Sequence, residues 1–202
     1  MEDTALLTDD EIVALCAADG RPWPIGLNTV EPSVEELSKA GIRGMRSLMV
    51  RRLAGGDAER PGVRPHEMIA RDVAAFLDAT ERVGAYLAPA ADHSRLGGAS
   101  VTAARTDQGW VVDTATAAGV HALRTASTDD AARAVLELAE KAYRGELFDD
   151  DAERSRWVCV VRFGPAGQNA VAVGPDSVTG FIDGRAVEFW DSALIRAAFG
   201  RP

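Results

Sequence analysis

The feature that most constrains this chain is a change of hydrophobic period near residue 81. Before it, apolar residues recur at helical spacing, with Ile69, Val73, Phe76, Leu77 and Thr80 falling on one face. After it come short runs rich in Val, Ala and Thr, bounded by turn residues. Segments 83–87, 99–105, 110–114 and 120–124 read as strands, and Thr106-Asp107-Gln108-Gly109 as a hairpin turn. Local hairpins imply antiparallel pairing. The expectation is therefore an α+β fold, a meandering sheet with helices packed on one face.

The same plan recurs. Thr128 is read as the cap of a helix whose apolar face is Ala132, Val135, Leu136, Ala139 and Tyr143, and the charged stretch 149–154 as a loop. Segments 157–163, 170–173, 178–182 and 186–189 are strands, with turns at 164–169, at 174–176 and at Asp183-Gly184, the last a strong two-residue hairpin signal. A closing helix over 192–199 buries Leu194, Ile195 and Phe199. A single domain over 1–202 follows, with a helical region at 1–80, strands then a helix at 81–148, and strands then a helix at 155–202. Residue identity between the two units is too low for a sequence repeat.

Within the helical region, Thr8 and Glu11 form a capping box and Leu7 with Ile12 the matching hydrophobic staple; Gly20 stops that helix. Segment 21–27 carries two prolines around Trp23 and must be extended or turned. Ser33 and Glu36 form a second capping box, opening a short helix that ends at Ala40-Gly41. A third helix runs from about 43 to 53, and 57–63 is a loop. Pro65 suits the first turn of the next helix.

Composition bounds the function. Hydrophobic residues make up 47% and charged residues 26%, enough for a real core. The net charge of −9 opposes binding to nucleic acid or to anionic membrane surfaces. No apolar run approaches the ~20 residues of a membrane helix. Met1-Glu2-Asp3 lacks a basic leader, and Cys16 and Cys159 sit among apolar neighbours as buried thiols. The cytoplasm is the expected compartment. Lysine occurs only at Lys39 and Lys141 beside many arginines and alanines, a mark of GC-rich coding.

Tests for chemistry return no catalytic residue, no cofactor and no metal. His66-Glu67-Met68-Ile69-Ala70 begins like a zinc-protease motif, but Ala70 stands where the second ligand belongs. His93 lies in a loop beside Asp92, and His121, near Gly119, reads as a strand histidine that is either satisfied or exposed. No Gly-Lys-Ser/Thr, Gly-x-Ser-x-Gly or Cys-x-x-Cys occurs. Asp149-Asp150-Asp151 lacks the spaced oxygens of a calcium loop. An active site assembled from dispersed residues has no pattern to test.

Two features bear on partners. Residues 34–53 match a helix-turn-helix, with Arg43, Arg46, Arg51 and Arg52 on the second helix, as a DNA-binding regulator would have. The competing reading buries Met45, Leu48 and Met49 and solvates the arginines, and the acidic net charge favours it. Trp110, Trp157 and Trp190 stand at predicted strand ends, where tryptophan serves either as core and edge packing or as a protein-interface anchor. A protein partner is expected, with no nucleic acid and no membrane. An immunity-type adaptor would read the same way.

The first half of the chain resembles the EspG family, cytosolic chaperones of actinobacterial type VII (ESX) secretion. The resemblance rests on Leu7-Thr8-Asp9-Asp10-Glu11-Ile12-Val13-Ala14-Leu15, Trp23-Pro24-Ile25-Gly26-Leu27, Leu37-Ser38-Lys39-Ala40-Gly41-Ile42 and the strand Gly109-Trp110-Val111-Val112-Asp113. The doubled strands-then-helix plan is similar too. The resemblance implies a non-enzymatic chaperone that shields the apolar tip of a helical PE–PPE substrate before export.

Overall fold

The structure is a computed structural model that describes residues 6–57, 60–148, 150–164 and 167–200. The readings at Met1-Glu2-Asp3 and at Asp149 lie outside the described residues. Among these, the helical region holds β1 (Leu6–Thr8), α1 (Asp9–Asp19), α2 (Val34–Val50), β2 (Ala54–Asp57), β3 (Arg60–Pro65) and α3 (Glu67–Asp78). The first unit is β4 (Arg82–Pro89), β5 (Ser100–Thr106), β6 (Gly109–Ala115), β7 (Val120–Ala126) and α4 (Thr128–Tyr143). After the single turn α5 (Asp151–Arg154), the second unit is β8 (Trp157–Phe163), β9 (Asn169–Gly174), β10 (Ser177–Ile182), β11 (Arg185–Val187) and α6 (Ser192–Phe199).

Nine strands form one sheet in the order β1-β7-β6-β5-β4-β8-β9-β10-β11. Each unit is a four-stranded antiparallel meander followed by a helix. The two first strands, β4 and β8, lie side by side and antiparallel, with Gly84 opposite Arg162 and Tyr86 opposite Val160. The sheet therefore reads outward from a central pair in the same way on both sides, and α4 and α6 pack against each other. The tight turns match their residues: Asp183 and Gly184 both take positive φ, 49° and 76°, as a two-residue hairpin of type I′ requires.

Side-chain alternation sorts the sheet into two faces. On one, Val83, Ala85, Val112, Cys159, Val161 and Val173 pack under Ala132, Val135, Leu136 and Ala139 of α4 and Ile195 and Phe199 of α6. The alanines let α4 lie close to the strands. On the other, Ala104, Val111 and Leu123 meet Ile12, Leu15, Ile69, Val73 and Phe76 of α1 and α3. Helices thus cover both faces of the β5–β7 half, not one as the hairpin pattern implied. The apolar positions of α1 and α3 need a sheet face of their own.

Several boundaries differ from expectation. The stretch read as two helices is a single one, α2, running unbroken through Ala40-Gly41. Gly44 explains why glycine does not end it: a Cβ there would fall 1.9 Å from the Asp10 carbonyl oxygen, so the glycine is a contact point where α1 crosses. Part of the supposed loop 57–63 is β3, hairpinned to β2 with Gly56 opposite Val63. Pro65 ends that strand, and α3 begins after His66 as N-cap, finishing at Asp78 before Thr80. The cap of α4 is Ser127, whose hydroxyl accepts from the Asp130 amide, and not Thr128. Residues 151–154 form α5 within the charged stretch, and β11 stops at Val187. The Thr8–Glu11 box is present in both directions.

Candidate functional site

Beyond β4, the layer made by α1 and α3 stops. On that side of β4, β8 and β9 the apolar cluster is Ala88, Val160 and Ala172, with Tyr86 and Val158 beside them, all strand residues. Register carries the same face outward: Val160 stands opposite Ala172, which stands opposite Thr179, while Arg162 stands opposite Ala170 and Ala170 opposite Phe181. Phe181 is 61% exposed, and Arg162 and Thr179 are also exposed. Ala88, Val160 and Ala172 are themselves buried, at 0%, 2% and 7% exposure, so what this side offers to water is Phe181, Thr179 and Arg162. Phe181 is a large apolar ring in water on the strand next to the sheet edge, the kind of side chain that anchors protein contacts.

The three tryptophans turn the other way. Trp110 is 3% exposed and packs on Phe199, ring centroids 4.9 Å apart. Trp157 is half-buried against Phe148, and a Cβ on Gly97 would meet its ring. Trp190, also half-buried, stacks on Tyr143 of α4. All three belong to the helix-covered side. Alternation carries that information, since residues 157, 159, 161 and 163 share one face and 158, 160 and 162 the other.

One cluster of ionisable groups is buried, and it joins the strand histidine His121 to two aspartates that no sequence motif connects to it. His121 on β7 lies between Asp113 of β6, with Nδ1 3.0 Å from Oδ2, and Asp9 at the start of α1, with Nε2 2.7 Å from Oδ1. The other Asp9 oxygen accepts from the Thr29 amide and hydroxyl at 2.6 and 2.8 Å. Trp23 meets the imidazole edge-on. Burial opposes charge on His121, but the hydrogen bonds to Asp113 and Asp9 outweigh it and push its pKa up to about 9. Burial would raise Asp9 too, yet its bonds to His121 and Thr29 hold it below the usual carboxylate range, whereas burial keeps Asp113 above it. With both nitrogens facing carboxylates and the ring 2% exposed, the imidazolium is a cross-link between elements and offers no free nitrogen to a substrate.

The remaining candidates are also placed. His66 and Glu67 are exposed at the start of α3, and His93 is exposed in the β4–β5 loop, where its carbonyl accepts from Tyr86. Burial raises both thiols, Cys16 and Cys159, to about 12. Because α2 is a single helix there is no helix-turn-helix. Arg43 pairs with Asp10 at 2.7 Å, and Arg51 donates to Glu11 at 2.6 Å and to the Leu6 carbonyl. Among the described residues no helix is long and apolar enough to cross a membrane.

No protein-family model and no curated protein matches the chain. Among solved structures, the chain is similar to that of the Mycobacterium tuberculosis type VII secretion system chaperone EspG5 in complex with the PE25–PPE41 dimer, at a TM-score of 0.50 and 12% identity, over 97% of this chain and 94% of that one. The resemblance to the EspG family read from the first half of the sequence thus extends, as a likeness of fold, over nearly the whole chain.

Proposed function

We propose that this protein is a non-enzymatic, cytosolic chaperone of type VII secretion, acting as one domain that shields an apolar surface on a helical PE–PPE-like substrate. The observation that carries the reading is Phe181, 61% exposed on the face of β10 that points away from α4 and α6, in a fold like that of a chaperone solved with a PE–PPE dimer. The helix-covered face and the sealed His121 cluster serve stability. The side bearing Phe181 is left for the partner. A helix end laid against Phe181 would remove the exposed ring from water, at roughly 25 cal/mol per Å² of apolar area. Burial of that kind is reversible and needs no bond chemistry, which suits a carrier that must let go.

The test is co-expression with a PE–PPE pair from the same genome. The soluble yield of the pair rises several-fold when this protein is present. An unchanged yield, with no complex on gel filtration, counts against the reading.

A further inference from the structure

Beside β4, on the sheet face away from α4, there is a pocket of about 350 Å³. Among the described residues its only charged lining side chains are Arg82 and Arg162, with no Asp or Glu, although the chain carries 31 acidic against 22 basic side chains. Several arginines elsewhere sit against carboxylates, as in Arg21–Asp19, Arg43–Asp10, Arg133–Asp130 and Arg154–Asp151. Among the described residues neither Arg82 nor Arg162 forms an ion pair with a carboxylate; Arg82 donates through Nη2 to the Phe76 and Leu77 carbonyls, closing the end of α3, while Arg162 lies 5.7 Å from the Tyr86 ring centroid. The Nε of Arg82 is buried with no hydrogen-bond partner. Burial and the nearby Arg21 charge already disfavour its protonated form.

The geometry suits one ligand class. Gly84 stands opposite Arg162 on β8 and opposite Thr102 on β5, so Arg82, two residues along, is a diagonal neighbour of Arg162 on the same face, about 7–8 Å away. Gly84 has no side chain, and a Cβ there would crowd Thr102 Oγ1 at 3.0 Å, so the glycine keeps this tight stretch between the two arginine positions clear of a side chain. The opposite wall is apolar, with Ile25 and Leu96. Two guanidinium groups without an anion beside an apolar wall are an incomplete arrangement, since guanidinium and carboxylate form strong, charge-assisted pairs.

We propose that this pocket binds an organic carboxylate carried on a short apolar stem, its oxygens between Arg82 and Arg162 and its stem along Ile25 and Leu96. The carboxylate belongs either to a free acid or to a glutamate side chain of a docked polypeptide. The site does not depend on the chaperone reading and is tested apart from it.

The test is titration of the full chain with pentanoate, followed by backbone amide NMR. Pentanoate shifts the Gly84 and Thr102 signals saturably, and neutral pentanamide does not. Arg162→Gln, at an exposed side chain with no ion pair, leaves the spectrum folded and weakens pentanoate binding about tenfold, the loss of one charge-assisted hydrogen bond. N-acetylglutamate N-methylamide separates the sources. Binding as tight as pentanoate assigns the site to a polypeptide glutamate, and weaker binding assigns it to a free acid. Equal shifts from pentanoate and pentanamide, or unchanged pentanoate affinity in Arg162→Gln, overturn the proposal.

Discussion

His121 ties the beginning of the chain to the middle of the sheet: its Nε2 is 2.7 Å from Asp9 Oδ1, on the first residue of α1, while its Nδ1 holds Asp113 on the adjacent strand. The amide of Asp9 also donates to the Gly119 carbonyl, and a Cβ on Gly119 would collide with the Asp9 carboxylate. One buried cation thus fixes the position of α1 over β6 and β7.

This arrangement makes folding stability depend on alkaline pH. The folded-state pKa of His121, about 9, lies above the ordinary value of 6.5. Its stabilisation is therefore fully present below about pH 6.5 and is lost as pH rises through about 9. The difference corresponds to on the order of 3 kcal/mol. Urea unfolding between pH 6 and 10 shows this decline. His121→Gln, which cannot carry the charge, is less stable at pH 6 and nearly flat up to about pH 8, above which it keeps only the decline that comes from Cys16 and Cys159, whose thiols ionise more readily in the unfolded chain. An unchanged slope in the variant assigns the pH dependence to other groups.

Gly44→Ala tests the helix crossing. A methyl group 1.9 Å from the Asp10 carbonyl oxygen cannot be accommodated without separating α1 from α2. Overpacking costs typically 1–3 kcal/mol, and here the obstacle is backbone, so a loss at or above the upper end is expected by chemical denaturation. Gly55→Ala, at an open position, is the control and stays near wild type.

Both cysteines are buried with thiols held near pKa 12. Ellman's reagent at pH 8 therefore titrates neither in the native protein and both after denaturation. Rapid native reaction of Cys16 would show that the α1 layer opens.

The extent to which the sequence revealed the fold follows a physical divide. Local signals were legible: the Thr8–Glu11 box, the Asp183-Gly184 turn, the strands from 83 onward and the closing helix 192–199 are all set by residues within a few positions of one another. Features set by tertiary contact were not. Gly41 looks like a helix stop until α1 is seen pressed against the same helix at Gly44. β1 is only three residues long and exists because β7 offers it an edge. The Asp9–His121 contact joins residues far apart in the chain. It nonetheless left a trace, because alternation puts Asp113 on the face of Val111 and His121 on the face of Leu123, both inward, and buried ionisable groups require partners. The same alternation placed Trp157 and Phe181 on opposite faces of the sheet. Which face lacks helices is a property of the assembled layers alone.

The measurement that bears most directly on the chaperone reading is the affinity of the purified protein for a PE–PPE dimer of its own genome, by calorimetry, for wild type and Phe181→Glu. Position 181 is exposed, so the variant folds with unchanged thermal stability. The account predicts a stable complex with the wild type and at least a tenfold loss with the variant, the effect of placing a charge within an apolar contact. A complex of equal affinity for both proteins would contradict the assignment of the contact to Phe181, and the absence of any complex would contradict the function itself.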